Sequence, residues 1–211
     1  MDSVGEPVFA YGSASRFLMT AALSRDSGTL GAVTMGQESG VFESFLTVYR
    51  TDSDKAVSTN PICPGLVFDL TAFGSGFCAV AEESLCWLDK NGAVSATYPY
   101  NGLFLRRCAV SDGNFAAVLL SRYRTGSETE LITVDGEGNE LGGVRLQREV
   151  LDMSASGRYV AVLCTDRLII YDKFLTELAS LPFVSQTRAV FMRSDGSAVM
   201  AGADSASLYL P

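Results

Sequence analysis

The amino-acid sequence predicts an all-β protein, and three observations support this fold class. The first is a set of short apolar runs, rich in β-branched and aromatic residues and bounded by glycine, aspartate or serine, such as Tyr159–Cys164. The second is the content of 20 glycines, which indicates many turns. The third is a self-similarity that returns every ~40–45 residues. A helical interpretation is weaker, because the apolar runs are short and lack helical periodicity.

The self-similarity divides the chain into five repeats with one common order of elements. Each repeat begins with an apolar strand that ends in a turn, and a second apolar strand of the Ala-Val type follows. A third strand ends in an aromatic residue and aspartate, as in Tyr171-Asp172, or in a similar pair, and a polar turn leads to a weaker fourth strand. The repeats are expected at residues 16–60, 66–99, 104–147, 149–182 and 188–211, with fourth strands at 55–59, 93–98, 140–146 and 176–181.

Four short strands in each repeat of this length are typical of a β-propeller blade. The second and third strands are nearly continuous apolar runs, so both of their faces must be covered, as they are when a blade lies between two others. The predicted fold is therefore a β-propeller of about five four-stranded antiparallel blades. The fifth repeat has three predicted strands, and residues 7–11 form a lone outer strand. Residues 1–211 accordingly form either a closed five-blade ring or part of a larger six- to eight-bladed propeller.

Composition excludes several functional classes. The formal net charge is −8, whereas sequence-independent nucleic-acid binding needs a basic surface, so no nucleic-acid partner is expected. The absence of histidine removes Ser–His–Asp, Cys–His and histidine–metal sites. The longest charge-free stretch, residues 91–105, contains proline and glycine and is too short to cross a bilayer. We therefore expect this segment to be soluble and to make no contact with a membrane.

The five cysteines are expected to act as small buried hydrophobic residues, because four of them lie in apolar runs and no Cys-x-x-Cys motif occurs. Cys78 and Cys86 fall on neighbouring predicted strands. A two-residue turn at Glu82-Glu83 places Cys78 opposite Trp87, so a disulfide between Cys78 and Cys86 is not expected.

Two short motifs resemble cofactor or metal sites but are better explained as turns. Gly74-Ser-Gly76-Phe-Cys-Ala79 matches a dinucleotide-binding pattern, but the repeat places it in a strand–turn–strand segment instead of before a helix. Residues 135–140 carry alternating oxygen ligands and lack the glycine and terminal glutamate of a calcium loop. We expect no cofactor and no metal.

Carboxylates could still support catalysis near the axis of a propeller. Asp69 and Asp152 are the only acids at first-strand positions, and they recur at equivalent places in their repeats. This recurrence favours a structural role, in a turn or in a hydrogen bond between blades. A carboxylate-based hydrolase or a quinoprotein-like enzyme that uses the central channel remains the alternative function.

Two turn sequences carry a family resemblance. Ser154-Ala-Ser-Gly-Arg-Tyr-Val-Ala-Val162 and Ser111-Asp-Gly-Asn-Phe-Ala-Ala-Val118 resemble the Ser-Pro-Asp-Gly-(x)-Tyr-(Leu/Val)-Ala-Val turn of bacterial WD40-like and YVTN-type propellers. The sequence departs from eukaryotic WD40 repeats, because its one tryptophan, Trp87, precedes leucine. The resemblance covers residues 13–211 and rests on fold signatures. It implies a bacterial, membrane-anchored, extracytoplasmic parent protein without an assigned activity, and it transfers no catalytic residue.

The charged and aromatic residues around the third repeat suggest a recognition surface. Residues 104–149 hold six arginines and seven acids, and this balance favours ordinary surface ion pairs. An aromatic loop and an Arg-Tyr-Arg segment nevertheless combine residue types that are enriched at binding hot spots. The candidate partner-binding residues are Tyr98, Tyr100, Asn101, Phe104, Arg122, Tyr123 and Arg124. The expected function is a non-catalytic binding or scaffolding module at the bacterial cell envelope, with a protein or an envelope ligand as its partner.

Overall fold

The computed structural model describes residues 16–38, 40–53, 55–125, 128–182 and 187–211, and these residues form antiparallel β-strands and turns. The chain divides into two compact units, the first ending at Pro99 and the second beginning at Tyr100. Among the described residues, no helix is long and apolar enough to cross a membrane. The prediction of an all-β protein is confirmed.

The first unit contains two four-stranded sheets whose strands follow chain order. Sheet one consists of β1 (Phe17–Leu23), β2 (Thr29–Glu38), β3 (Val41–Arg50) and β4 (Ala56–Pro64). Sheet two consists of β5 (Val67–Phe73), β6 (Gly76–Ala81), β7 (Ser84–Leu88) and β8 (Val94–Pro99).

The second unit contains two further four-stranded sheets and one with three described strands. Sheet three consists of β9 (Phe104–Ser111), β10 (Phe115–Ser121), β11 (Glu128–Asp135) and β12 (Glu140–Gln147). Sheet four consists of β13 (Val150–Ser156), β14 (Tyr159–Cys164), β15 (Arg167–Asp172) and β16 (Glu177–Pro182). Sheet five consists of β17 (Thr187–Met192), β18 (Ala198–Gly202) and β19 (Ala206–Tyr209). Residues 7–11, predicted as a lone outer strand, lie outside the described residues.

One strand is longer than its sequence predicts. β4 runs to Pro64, beyond the predicted residues 55–59. Pro61 lies opposite Phe45 within this strand, and the register shifts beside it, so that Ser44 faces Cys63. Proline is tolerated here because β4 is an edge strand and its outward N–H groups take no part in the ladder.

The first strand of every sheet carries a one-residue bulge near its start. The antiparallel register passes over a single residue in each case: Met19, Phe68, Arg106, Leu151 and Arg188. A bulge bends its strand and increases the local twist, so its recurrence gives the five sheets a common local geometry. The residue after the bulge is therefore equivalent between sheets, and it is Asp69 in sheet two, Arg107 in sheet three and Asp152 in sheet four.

The turn between the third and fourth strands also recurs, in sheets two, three and four. An aspartate at the end of the third strand, or directly after it, accepts two backbone hydrogen bonds of 2.8–2.9 Å, from the residues two and four positions later. These aspartates are Asp89, Asp135 and Asp172. Three residues further on, Gly92, Gly138 and Leu175 adopt positive φ angles of 77°, 85° and 61°. The Asp135 segment is thus a hairpin turn, because its carboxylate is already bonded to backbone amides.

The second and third strands of sheets two, three and four are buried on both faces over most of their length, as predicted. In sheet five, β18 is only partly buried and β19 is largely exposed. In β14, Val160 and Val162 belong to an apolar cluster shared with sheet three. The alternate residues Ala161 and Leu163 belong to a second cluster, shared with sheet five. A strand with both faces covered needs apolar residues at every position, which explains its continuous apolar sequence.

The cysteine expectations are mostly confirmed. Cys78 lies directly opposite Trp87, and none of the five cysteines forms a disulfide. Cys78, Cys86 and Cys164 are buried, as expected. Cys63 and Cys108 are only partly buried, because each lies on an outer or first strand of its sheet, where one face is less covered.

Candidate partner-binding surface

The charged residues around sheet three are divided between its two ends. The basic end comprises residues 103–107, 119–125, 128–130 and 145–149, where β9 and β11 begin and β10 and β12 end. It holds the six arginines Arg106, Arg107, Arg122, Arg124, Arg145 and Arg148, together with the acids Glu128, Glu130 and Glu149. The acidic end comprises residues 111–116 and 134–140 and holds the other four acids: Asp112, Asp135, Glu137 and Glu140. Charges that balance in the sequence are therefore separated in space.

The expected ion pairs within this repeat are not formed. In the described part of the chain, none of the six arginines makes an ion pair with an acid of residues 104–149. Arg107 Nη1 instead lies 3.6 Å from Asp152 Oδ1, and Arg148 Nη1 lies 2.6 Å from Asp166 Oδ2, both in sheet four. Arg122 and Arg145 make no ion pair with any described residue, although Arg145 lies opposite Glu130 in the β11–β12 register.

Four of the predicted surface residues come together at the basic end. The guanidinium carbon of Arg124 lies 5.2 Å from the centre of the Phe104 ring, which is a cation–π contact. Arg106 Nη1 donates a hydrogen bond to the backbone oxygen of Arg124. The Ser121 hydroxyl donates to the backbone oxygen of Tyr123 at 2.6 Å, and this bond shapes the start of the loop. The Tyr123 side chain is 65% exposed, so its ring is available to a partner.

A cleft of about 330 Å³ opens beside Arg122 and Tyr123. Leu103 and Leu120 supply apolar surface, whereas the strand ends supply charge and amide groups. The residues that line the cleft are Leu103, Leu120, Ser121, Arg122, Tyr123, Glu128, Thr129, Glu130, Arg145, Leu146 and Gln147. The cleft thus combines charged and polar side chains with a smaller apolar contribution.

The predicted aromatic loop is not part of this surface. Tyr98 lies on β8, opposite Leu85, and is only 7% exposed. Tyr100 is 1% exposed, so both rings belong to the interior. Asn101 is exposed, but it occupies a tight turn with a φ of 52°, closed by the Leu103 N–H bond to the Tyr100 carbonyl. The burial of both rings argues against Tyr98 and Tyr100 as contact residues.

A second cleft, of about 480 Å³, lies between sheets three and four at the same end. Arg106, Arg107 and Arg148 line it, and so does Thr129. Thr129 is 8% exposed, and its hydroxyl has no hydrogen-bond partner among the described residues. The sequence gives the number of these arginines but not directly their positions in the sheet. The antiparallel strand order would have assigned each arginine to one end of sheet three.

Sheet four adds an arginine–aspartate cluster to this end. Asp166 Oδ2 accepts from Arg148 Nη1 at 2.6 Å and from Arg167 Nε at 3.1 Å. Partial desolvation raises the pKa of Asp166, but the hydrogen bond from Arg167 and the charges of Arg148 and Arg167 outweigh it and lower that pKa below its ordinary value. Asp166 therefore stays ionised and holds Arg148 in place.

The two carboxylates considered for catalysis have structural partners. Asp152 Oδ2 accepts the backbone N–H of Val190 at 2.9 Å, which links sheets four and five. Asp69 Oδ1 accepts the N–H of Leu70 at 2.8 Å in its own strand. The predicted structural role between blades is thus observed for Asp152.

The glycine motif of residues 74–79 serves the turn. Gly76 begins β6, and a Cβ at this position would lie 2.0 Å from the Leu88 carbonyl oxygen. Glycine is therefore required for a close approach of backbones within sheet two. Among the described residues, no group of three or more cysteines, aspartates and glutamates is placed to hold a metal ion.

Comparison with known proteins gives the fold but not a family. No protein-family model matches the sequence, and no curated protein matches it. Among solved structures, the chain is similar to the Pan2 WD40 domain of Neurospora crassa, with 14% identity and a TM-score of 0.55 over 91% of this chain. It spans 60% of that domain. It is also similar to the WD40 β-propeller domain of Doa1, with 13% identity and a TM-score of 0.51, covering 96% of this chain and 81% of that domain. The chain therefore has a WD40-like β-propeller fold with about five blades.

Proposed function

We propose that this chain is a non-catalytic protein-binding module that uses the basic end of sheet three to bind an acidic segment of a partner protein. The observation that carries the proposal is the separation of charge along the sheet, which leaves six arginines and three glutamates at one end. Addition of the sheet-four neighbours Asp152, Asp166 and Arg167 still leaves an excess of positive charge at this end.

An acidic protein segment fits this surface better than a nucleic acid does. The chain as a whole carries a net charge of −8, which opposes a polyanion many charges long. A short segment meets mainly the local field, because charges beyond ~10 Å are screened at physiological salt. Glu128 and Glu130 would also repel a continuous phosphate backbone, whereas they could hydrogen-bond to a peptide backbone or to its side chains.

The arginines have different roles in this proposal. Arg122 and Arg145 make no ion pair within the described residues, so their guanidinium groups are available for bidentate bonds to carboxylates. Arg107 and Arg148 are held by ion pairs with Asp152 and Asp166 and add to the positive electrostatic potential at the basic end. Tyr123 supplies an exposed aromatic ring of the kind found at binding hot spots.

The test measures the affinity of a fluorescently labelled peptide of alternating glutamate and alanine by anisotropy. The double variant R122Q/R145Q removes two unpaired charges from the basic end. The matched control R158Q/K173Q removes two charges from turns at the opposite end of sheet four, so that the net charge is the same. Each exposed charge contributes ~0.5–1 kcal/mol, so we expect the basic-end variant to weaken binding by about 5- to 30-fold and the control by less than about twofold.

Two results would contradict the proposal. One is equal weakening by both variants, which would show that only overall charge matters. The other is a preference for single-stranded oligonucleotide over the acidic peptide at equal ionic strength, which would assign the basic end to phosphate recognition.

We further propose that this module works at the bacterial cell envelope. The support is the resemblance of residues 111–118 and 154–162 to the turns of YVTN-type repeats. Fractionation of bacteria that express the parent protein tests this setting. We expect an antibody raised against this chain to detect the parent protein in the membrane fraction, and recovery wholly in the soluble cytoplasmic fraction would contradict it.

A further inference from the structure

Cys63 and Cys86 meet where sheets one and two pack together. Cys86 is a buried member of the apolar cluster of the first unit, and Cys63 packs against that cluster from β4. The register shift in β4 between Pro61 and Cys63 directs two successive side chains, Ile62 and Cys63, toward this cluster. Each thiol shifts the pKa of the other, as two neighbouring thiols do.

Polar groups surround the Cys86 sulfur although its side chain is only 1% exposed. Ser84 Oγ lies 3.4 Å from Cys86 Sγ on the same face of β7. Thr97 lies opposite Cys86 on β8, and its side chain also lowers the pKa of this thiol. Three groups able to donate a proton to one buried sulfur are more than a thiol that serves only for packing requires.

This arrangement makes the two thiols unequal. The hydrogen bond from Cys63 lowers the pKa of Cys86 below the usual range of a thiol, against the effect of burial, and Ser84 and Thr97 lower it further. The hydrogen bond to Cys86 and desolvation raise the pKa of Cys63, and the nearby negative charge of Glu83 adds to this effect. The pair therefore combines a sulfur that readily carries negative charge with a partly exposed neighbour that holds its proton.

We propose that Cys63 and Cys86 are a site of reversible oxidation that forms a disulfide between β4 of sheet one and β7 of sheet two. With hydrogen peroxide as oxidant, one S–S bond forms and the O–O bond breaks. The two thiols lose two electrons and two protons, and two molecules of water leave. A dithiol reductant reverses the step. The disulfide would join the outer strand of one sheet to an inner strand of the next and so lock their packing.

The other three cysteines are expected to stay reduced under the same treatment. Cys78 lies opposite Trp87 and is fully buried, and Cys164 is also fully buried. Cys108 is partly buried like Cys63, but it lies in the second unit, on β9. Cys108 thus provides a control for a partly buried thiol elsewhere in the chain.

The test is disulfide mapping of the whole chain after mild peroxide treatment, with free thiols counted in denaturant. A protease that cleaves after glutamate and aspartate places Cys63, Cys78 and Cys86 on different peptides. Asp69 lies between the first two cysteines, and Glu82 and Glu83 lie between the last two. We expect two of the five thiols to be lost and one linked peptide pair containing Cys63 and Cys86 to appear, with reversal by dithiothreitol.

Variants give an independent control. C108S should lose two thiols as the natural chain does, and C63S should lose none at the same peroxide dose. Absence of the Cys63–Cys86 linkage in the natural chain, or its replacement by a linkage of either residue to Cys78, would overturn the proposal even if C63S fails to fold. The result is independent of the acidic-peptide assay, because both cysteines lie in the first unit.

Discussion

Two adjacent glycines of β12 allow the packing of sheet four on sheet three to be tested with almost identical substitutions. A Cβ added at Gly142 would lie 2.4 Å from the Phe174 carbonyl oxygen and 2.7 Å from its carbonyl carbon. A Cβ added at Gly143 would meet nothing within 4 Å. Thr133, opposite Gly142 in the register, donates a hydrogen bond of 2.7 Å to the Lys173 carbonyl on the same turn of sheet four. G142A must therefore push two backbones apart, whereas G143A adds one exposed methyl group.

The clash gives the expected magnitude. Backbone atoms cannot rotate away as a flexible side chain can, so the two strands must separate by roughly an ångström or distort. Overpacking of this kind costs about 1–3 kcal/mol. In a chain of this length, each kcal/mol lowers the melting temperature by roughly 2–4 °C, so G142A should melt about 2–12 °C lower. G143A should be unchanged or more stable by up to about 1 kcal/mol, because alanine restricts the unfolded chain more than glycine does.

Thermal unfolding followed by circular dichroism at several heating rates measures the difference between the two variants directly. The reasoning is refuted if G142A and G143A melt at the same temperature. It is also refuted if G142A is the more stable of the two. Either outcome would mean that β12 does not lie against the turn at Phe174 at the spacing that the structure gives.

Three aspartates give further predictions for stability. D152A should lower the free energy of unfolding in urea by about 1–3 kcal/mol, because it leaves the buried N–H of Val190 without its acceptor. D69A should lower it by less, because this variant loses only a local bond to Leu70. Equal losses of stability would argue against the link between sheets four and five. D135A should lose about 1 kcal/mol near neutral pH, because its carboxylate accepts two backbone hydrogen bonds. Slight desolvation raises the pKa of Asp135, but the bonds from residues 137–139 outweigh it and lower that pKa. The stabilisation is therefore present above the unfolded pKa and is lost as pH falls through the folded pKa. The difference in unfolding free energy between natural chain and variant should shrink toward about pH 3, and a difference that grows in acid would contradict this assignment.

The fold could be predicted because several repeats impose the same requirement. A strand covered on both faces must be apolar throughout, and residues 159–164 satisfy this condition, as do residues 115–120. The aspartates at the end of the third strands, or directly after them, were visible in the sequence, after Leu88, Val134 and Tyr171, and in the structure they cap the following turn. The bulges could not be read from the sequence, because Met19, Phe68 and Arg188 share no residue type.

The candidate surface could be predicted only in part. Phe104, Arg122, Tyr123 and Arg124 are exposed at one end of sheet three, as the sequence suggested. Tyr98 and Tyr100 are buried instead. An aromatic residue can fill a core or a binding site, and the local sequence does not distinguish these two roles.

The clustering of the six arginines at one end of sheet three was not predicted, for a different reason. A count of charges over a whole repeat ignores the end of the sheet at which each residue lies. Consecutive antiparallel strands run in opposite directions, so neighbouring segments of the sequence lie at alternate ends of the sheet. Arg122 and Arg145 are 23 positions apart in the sequence yet line one cleft. Assignment of each charge to a strand end, before summing, would have shown the separation.

Hydrogen exchange with the acidic peptide present and absent tests most directly whether the basic end is the recognition surface. The account predicts slower exchange in residues 103–107, 119–124 and 145–149 when the peptide is bound. It predicts no change in residues 111–116 and 134–140, at the acidic end of the same sheet. Protection at the acidic end, or protection confined to the first unit, would contradict it.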